Sequence, residues 1–231
     1  MSHIFDDPTT SFYITLLACF IAMHIPYIGK YIRVLETMIH EGGHVLMALL
    51  LGAKINKINL FSNTSGETHI AGAGKFKTVL IALVGYPFSS AMAWLSFWAI
   101  HNGYKQLFII TLCAITLIFL LAYIRNGFGI FWAISFIAIN GYLLYAKQTN
   151  VLNILATIYA DILFLSSLSS CFVIFYLSFK QPNKAGDATL IGKTIHIPPL
   201  IIGAIFVVAI CIISFYTLKN FFPLMENLKL F

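Results

Sequence analysis

Long apolar runs alternate with short polar breaks along this chain. Each run approaches the roughly 20 residues that a helix needs to cross a bilayer. Seven segments are read this way, at 10–29, 33–52, 76–100, 106–124, 128–146, 151–179 and 198–218. The fourth and fifth are separated only by Arg125-Asn126-Gly127, which requires a tight turn. Two polar connections are longer. After the second segment, Lys54-Ile55-Asn56-Lys57-Ile58-Asn59-Leu60 alternates strictly, then Ser62-Asn63-Thr64-Ser65-Gly66 turns, then Glu67-Thr68-His69-Ile70 runs extended. That pattern predicts a small β-hairpin over about 54–70. After the sixth segment, Gly186-Asp187-Ala188 precedes a short helix candidate that ends before Pro198-Pro199. The expected fold class is therefore an all-α polytopic membrane protein, with about seven transmembrane helices and a hairpin after the second. Residues 1–231 are expected to form a single integral membrane domain.

Composition supports this reading. The chain is 60% hydrophobic and 10% charged, against roughly 25% charged in soluble domains. A net charge of +6 is expected at helix ends facing the lipid headgroups, and no nucleic-acid surface is expected. Lys54, Lys57, Lys75, Lys77, Lys180, Lys184 and Lys193 fall in the two long connections, which helix parity puts on one face. The positive-inside rule makes that face cytoplasmic. Lys30, Arg33, Lys105 and Lys147 lie on the opposing side, and the tail adds Lys219 and Lys229. Asp6, Asp7 and Pro8 stand where a cleavable signal would carry basic residues, so the first apolar run is expected to be retained. Cys19, Cys113, Cys171 and Cys211 are far apart and form no C-x-x-C pair, which argues against thiolate-held zinc.

The chemistry concentrates in the second segment, at His40-Glu41-Gly42-Gly43-His44. Histidines four apart on a helix face the same way, with Cβ atoms about 6 Å apart, which suits two imidazoles converging on one zinc ion. Glu41 projects about 100° around the helix from His40 and can take a proton from water on the metal. From this composition an H-E-x-x-H arises by chance in roughly one chain of this length in a few hundred. Charged residues inside a spanning helix are costly and usually functional. Glu36 lies one turn earlier on the same stripe, where it would either orient an imidazole or serve as an interface residue near Arg33. Gly42 and Gly43 either admit a close neighbour or reflect small-residue helix packing.

A catalytic zinc takes three protein ligands. Asp187 is the first choice for the third, with capping of a short helix as its plain alternative. Asp161 within the sixth segment is the next, followed by Glu67, His69 and His196. His3, His24 and His101 fall near segment ends and read as interfacial. Gly85-Tyr86-Pro87, with Ser89 and Ser90 nearby, predicts a bend in the third segment that either opens a wet path to the metal or simply packs.

The run Leu35-Glu36-Thr37-Met38-Ile39-His40-Glu41-Gly42-Gly43-His44, then Gly52 and a short hairpin, resembles the M50B-like peptidases, relatives of the site-2 protease family of intramembrane zinc metalloproteases. The likeness extends to Tyr123-Ile124-Arg125-Asn126-Gly127-Phe128-Gly129 and to Gly186-Asp187-Ala188-Thr189-Leu190. The resemblance implies a zinc endopeptidase embedded in a bacterial cytoplasmic membrane, acting on transmembrane or membrane-associated protein substrates. It implies His40 and His44 as zinc ligands and Glu41 as the catalytic base. Site-2 proteases draw their third ligand from an Asp-Gly motif, which this chain lacks, and Asp187 stands in its place. Two other functions fit the same residues: a non-hydrolytic membrane metal-binding or transport protein, and an inactive peptidase-like scaffold.

Overall fold

A computed structural model describes residues 8–222; His3, Asp6, Asp7 and Lys229 lie outside the described residues. The elements run α1 (Pro8–His24), α2 (Ile28–Leu50), β1 (Lys54–Leu60), β2 (Gly66–Ala71), α3 (Lys75–His101), α4 (Lys105–Ala122), α5 (Gly127–Tyr145), α6 (Thr149–Lys180), α7 (Gly186–Ile195) and α8 (Pro199–Phe221). All seven apolar segments are helical, so the expected all-α membrane fold holds. The span count is smaller than seven. Among the described residues five helices, α3 to α6 and α8, are each long and apolar enough to cross a membrane, while α1 and α2 bend by 105° at a short break and together count as at most one more. At that break Tyr27 takes a positive φ of 65°, and Gly29 sits where a Cβ would strike the backbone of Met23. The chain is an integral membrane protein.

At 32 residues, α6 is the longest helix; at about 48 Å it exceeds the hydrocarbon core. It packs against α1, α2, α3, α4 and α8, and so forms the axis of the bundle. Gly42 of α2 lies under Phe119 of α4, and Gly43 lies under Phe88 of α3, each where a Cβ would come within 3.1 Å of the ring residue. The glycine pair thus admits neighbouring helices, which offsets the roughly 1 kcal/mol of helix propensity that each costs.

The two long connections fold inwards. The hairpin forms as predicted, antiparallel, with Ile58 opposite Thr68 and a bulge between Ile55 and Lys57. Its turn returns along α2, where Thr37 Oγ1 donates to the Thr64 carbonyl at 2.9 Å. Thr37 lies about 20 Å along α2 from Leu50, so the hairpin dips well below the helix end it leaves. The tight α4–α5 turn clasps the other edge of β1. Ile58 N–H donates to the Tyr123 carbonyl at 2.8 Å, and Arg125 N–H donates to the Ile58 carbonyl at 3.2 Å. Asn126 accepts from Leu60 N–H at 3.0 Å and donates to the Leu60 carbonyl at 2.5 Å. The second long connection forms α7, which packs against α3 and α8.

This pairing determines which edge of the sheet is open. Ile58 and Leu60 turn both backbone groups away from β2. In an antiparallel ladder the residue opposite such a position also turns both groups outward. Thr68 and Gly66, opposite Ile58 and Leu60, therefore aim their N–H and C=O groups at the free edge of β2.

Candidate metal centre

Helix α2 carries the first components. His40 is near its middle, and His40 and His44 stand one turn apart with Nε2 atoms 3.1 Å from each other. Helix α3 makes room for both rings. A Cβ on Gly85 would lie 2.6 Å from His40 Cε1 and 2.7 Å from His44 Cε1. Pro87 is accommodated within a continuous α3, and the contribution of the Gly85-Tyr86-Pro87 run is this close approach. Tyr86 packs edge-on against His40 with ring centroids 4.5 Å apart, and Phe206 of α8 supports it at 4.9 Å.

The orientation of His44 comes from the backbone. Its Nδ1 is 2.8 Å from the Ile81 carbonyl. A carbonyl can only accept, so Nδ1 carries a hydrogen, and Nε2 is the nitrogen turned towards the other ligand candidates. Glu36 does not orient a ring; its carboxylate instead accepts from Ser170 Oγ at 3.3 Å.

Asp187, in the first turn of α7, joins from the far end of the sequence. Its Oδ2 lies 3.2 Å from His40 Nε2 and 3.3 Å from His44 Nε2. Burial acts to raise its pKa, but the charge on His44 and hydrogen bonds from both imidazoles outweigh that and hold the carboxyl below the ordinary carboxylate range. That direction favours the ionised form, the form in which a carboxyl can ligate a metal. Ligand atoms of His40, His44 and Asp187 all fall within 4.8 Å of one another. Three corners of a tetrahedron drawn around zinc are about 3.4 Å apart, and the three separations of 3.1 to 3.3 Å fit that set. Two imidazoles and a carboxylate are also suitable donors for zinc.

Glu41 stands beside the cluster, 4% exposed. Thr68 Oγ1 of β2 donates to its Oε2 at 2.6 Å. A Cβ on Gly66 would come within 2.7 Å of the Glu41 Cγ, so glycine lets the strand lie against this carboxyl. His40, Glu41, His44, Tyr86 and Asp187 line one cavity of about 600 Å³, together with Gly66 and Thr68 of β2 and Lys184.

The remaining sequence candidates lie elsewhere. Asp161 is fully buried in α6 but outside the cluster. Glu67 and His69 pair with each other at 3.0 Å on the hairpin. His196 caps the C-terminus of α7 with φ 59°. The roles of Gly85, Thr68, Gly66 and the Ile81 carbonyl had no signal in the sequence beyond the glycine beside Pro87. Each depends on which segment approaches α2, and no local pattern encodes that.

The sequence model of the family described as Peptidase M50B-like matches residues 13–217, nearly the whole chain. No curated protein and no solved structure matches the chain. The matched span holds all the residues that converge in the cavity, from α2 to α7, and the chain belongs to the M50B-like peptidases.

Proposed function

We propose that this chain is a zinc metalloendopeptidase that cleaves transmembrane or membrane-associated proteins within a bacterial cytoplasmic membrane, with residues 1–231 acting as one domain. The observation that carries this reading is the meeting of His40, His44 and Asp187 beside a buried Glu41 in one cavity. His40 and His44 through Nε2, and Asp187 through Oδ2, would hold the zinc. When bound, zinc supplies Lewis acidity, which polarises a carbonyl and lowers the pKa of water towards about 7.

The protein's own residues account for the rest. Thr68 occupies Glu41 Oε2, which leaves Oε1 to take a proton from the attacking water and pass it to the leaving amine. The backbone groups that Gly66 and Thr68 turn to the cavity receive an extended substrate strand by β-addition. Open backbone groups at membrane depth are tolerated where they line a wet cavity, and this edge does line one. A helical substrate must unwind first, because its backbone groups are otherwise satisfied internally.

Zinc content and cleavage of model transmembrane substrates, in wild type and Glu41→Gln, test the proposal. Glu41→Gln should retain zinc and lose about 10²- to 10⁴-fold in kcat. Stoichiometric zinc with no cleavage across a broad substrate panel would overturn it in favour of metal transport or an inactive scaffold.

A further inference from the structure

The Tyr123–Gly129 run takes no part in the chemistry above, yet one of its side chains is committed away from its own helix. Asn126 is the N-cap residue of α5, with extended backbone at φ −105° and ψ 148°. Asparagine in that place ordinarily accepts from an N–H in the first turn of the helix it begins. The Asn126 side chain makes no such bond. Its amide turns to β1 instead, where Oδ1 accepts from Leu60 N–H at 3.0 Å and Nδ2 donates to the Leu60 carbonyl at 2.5 Å. One side chain thus serves both backbone groups of a residue, as a neighbouring antiparallel strand would.

Two neighbours keep it there. Gly129 leaves the space, since a Cβ at that position would lie 2.6 Å from Asn126 Oδ1 and 3.3 Å from Leu60 Cβ. Arg125 ties down the turn itself. Its guanidinium donates to the carbonyls of Leu121 at 3.2 Å, Ala122 at 2.5 Å and Ile124 at 2.8 Å. Leu121 and Ala122 end α4, where carbonyls lack partners within the helix.

The register of the hairpin carries this hold to the metal centre. The turn grips β1 at Ile58, through the Tyr123 and Arg125 backbone, and at Leu60, through Asn126. Across the ladder, Ile58 is opposite Thr68 and Leu60 is opposite Gly66. Thr68 is the residue whose hydroxyl donates to Glu41 Oε2, and Gly66 is the one that lies against Glu41 Cγ. The two points gripped on β1 are therefore the two whose partners on β2 touch Glu41.

We propose that Asn126 is a positioning residue, which fixes β1 so that Thr68 and Gly66 of β2 are held against Glu41. The proposal rests on the peptidase reading above. The plainer role, satisfying the buried backbone groups of Leu60, would make Asn126 a contributor to stability alone, and a double-mutant cycle separates the two.

The test uses the full, zinc-loaded chain in nanodiscs, as wild type, Asn126→Ala, Thr68→Val and the double variant. Asn126→Ala should lower kcat on model transmembrane substrates at least about tenfold, since small misplacements of reacting groups are costly. In the Thr68→Val background the same substitution should lower kcat no more than about threefold, because the contact it acts through is already gone. Equal factors in both backgrounds would leave Asn126 with a stabilising role only and overturn the proposal. Should Asn126→Ala not fold, Asn126→Asp, which keeps the acceptor for Leu60 N–H and loses the donor, takes its place in the cycle. Hydrogen exchange without substrate gives a second readout. Exchange over residues 66–71 should quicken at least about threefold in Asn126→Ala, with α2 and α3 unchanged. Unchanged exchange in that strand would overturn the proposal. If the wild type cleaves nothing while the exchange of β2 quickens, the peptidase reading fails and the hold of Asn126 on β2 stands.

Discussion

Asp161 and Asp187 are the two aspartates of the described helices, and they ended in opposite situations. Asp161 lies inside α6, fully buried, facing Thr15 and Cys19 of α1. Asp187 lies on a short helix beyond the end of α6 and meets two imidazoles within 3.3 Å. An acid within a membrane helix is the default functional candidate, yet here the acid from a connection completes the cluster. Depth in the apolar core does not bring an acid to the cluster; convergence does. A connecting segment can bend back to deliver a carboxylate, whereas a residue on a straight spanning helix faces whatever neighbour the bundle packing provides.

Substitutions can break or sharpen this contrast. Asp187→Ala should have the largest effect, lowering zinc affinity by more than about 100-fold, beyond the 10- to 100-fold typical of groups that only support a ligand, with cleavage lost in parallel. Competition with a chromogenic chelator measures it, and retained affinity would remove Asp187 from the site. Gly85→Ala should come next. The added methyl would lie within 2.7 Å of both imidazoles, and zinc affinity should fall about 10- to 100-fold. Gly141→Ala in α5, where nothing lies within 4 Å, is its matched control and should leave zinc affinity unchanged.

Thr68→Val tests the hairpin's share of the site. It removes a hydrogen bond to a buried carboxyl, worth about 1.5–3 kcal/mol when charged, so kcat should fall about 10- to 100-fold while zinc affinity holds. A parallel loss of zinc would show that the hairpin supports the metal rather than the base. Asp161→Asn should give the smallest change, with zinc affinity and kcat/KM within about twofold of wild type, because Asp161 lies outside the cluster. If Asp161→Asn strips zinc and Asp187→Ala does not, the contrast is reversed and the site has been misassigned.

Much of this was legible in the residue pattern. Spanning helices announce themselves by length and hydropathy, and the seven segments read from the sequence all became helices close to the expected limits. The hairpin was readable because alternation followed by a Ser/Asn/Gly turn has few other solutions. The break between α1 and α2 was less visible. Without the 105° bend, two apolar runs separated by a short polar stretch read as two crossings. The Tyr123–Gly129 motif likewise carried a likeness without a reason. The structure supplies one: Tyr123, Arg125 and Asn126 clasp β1 and so leave β2 as the open edge.

Periodicity alone was enough to put His40 and His44 on one face of a helix with Glu41 close by, because a 3.6-residue repeat makes i and i+4 neighbours wherever the helix lies. It could not choose among distant carboxylates or decide which ring nitrogen would be free. Those outcomes required the chain to return after 147 residues with Asp187, α3 to bring the Ile81 carbonyl and a bare Gly85 against the rings, and β2 to reach Glu41. Contacts between segments so far apart depend on how whole helices pack, and no short stretch of residues carries that information.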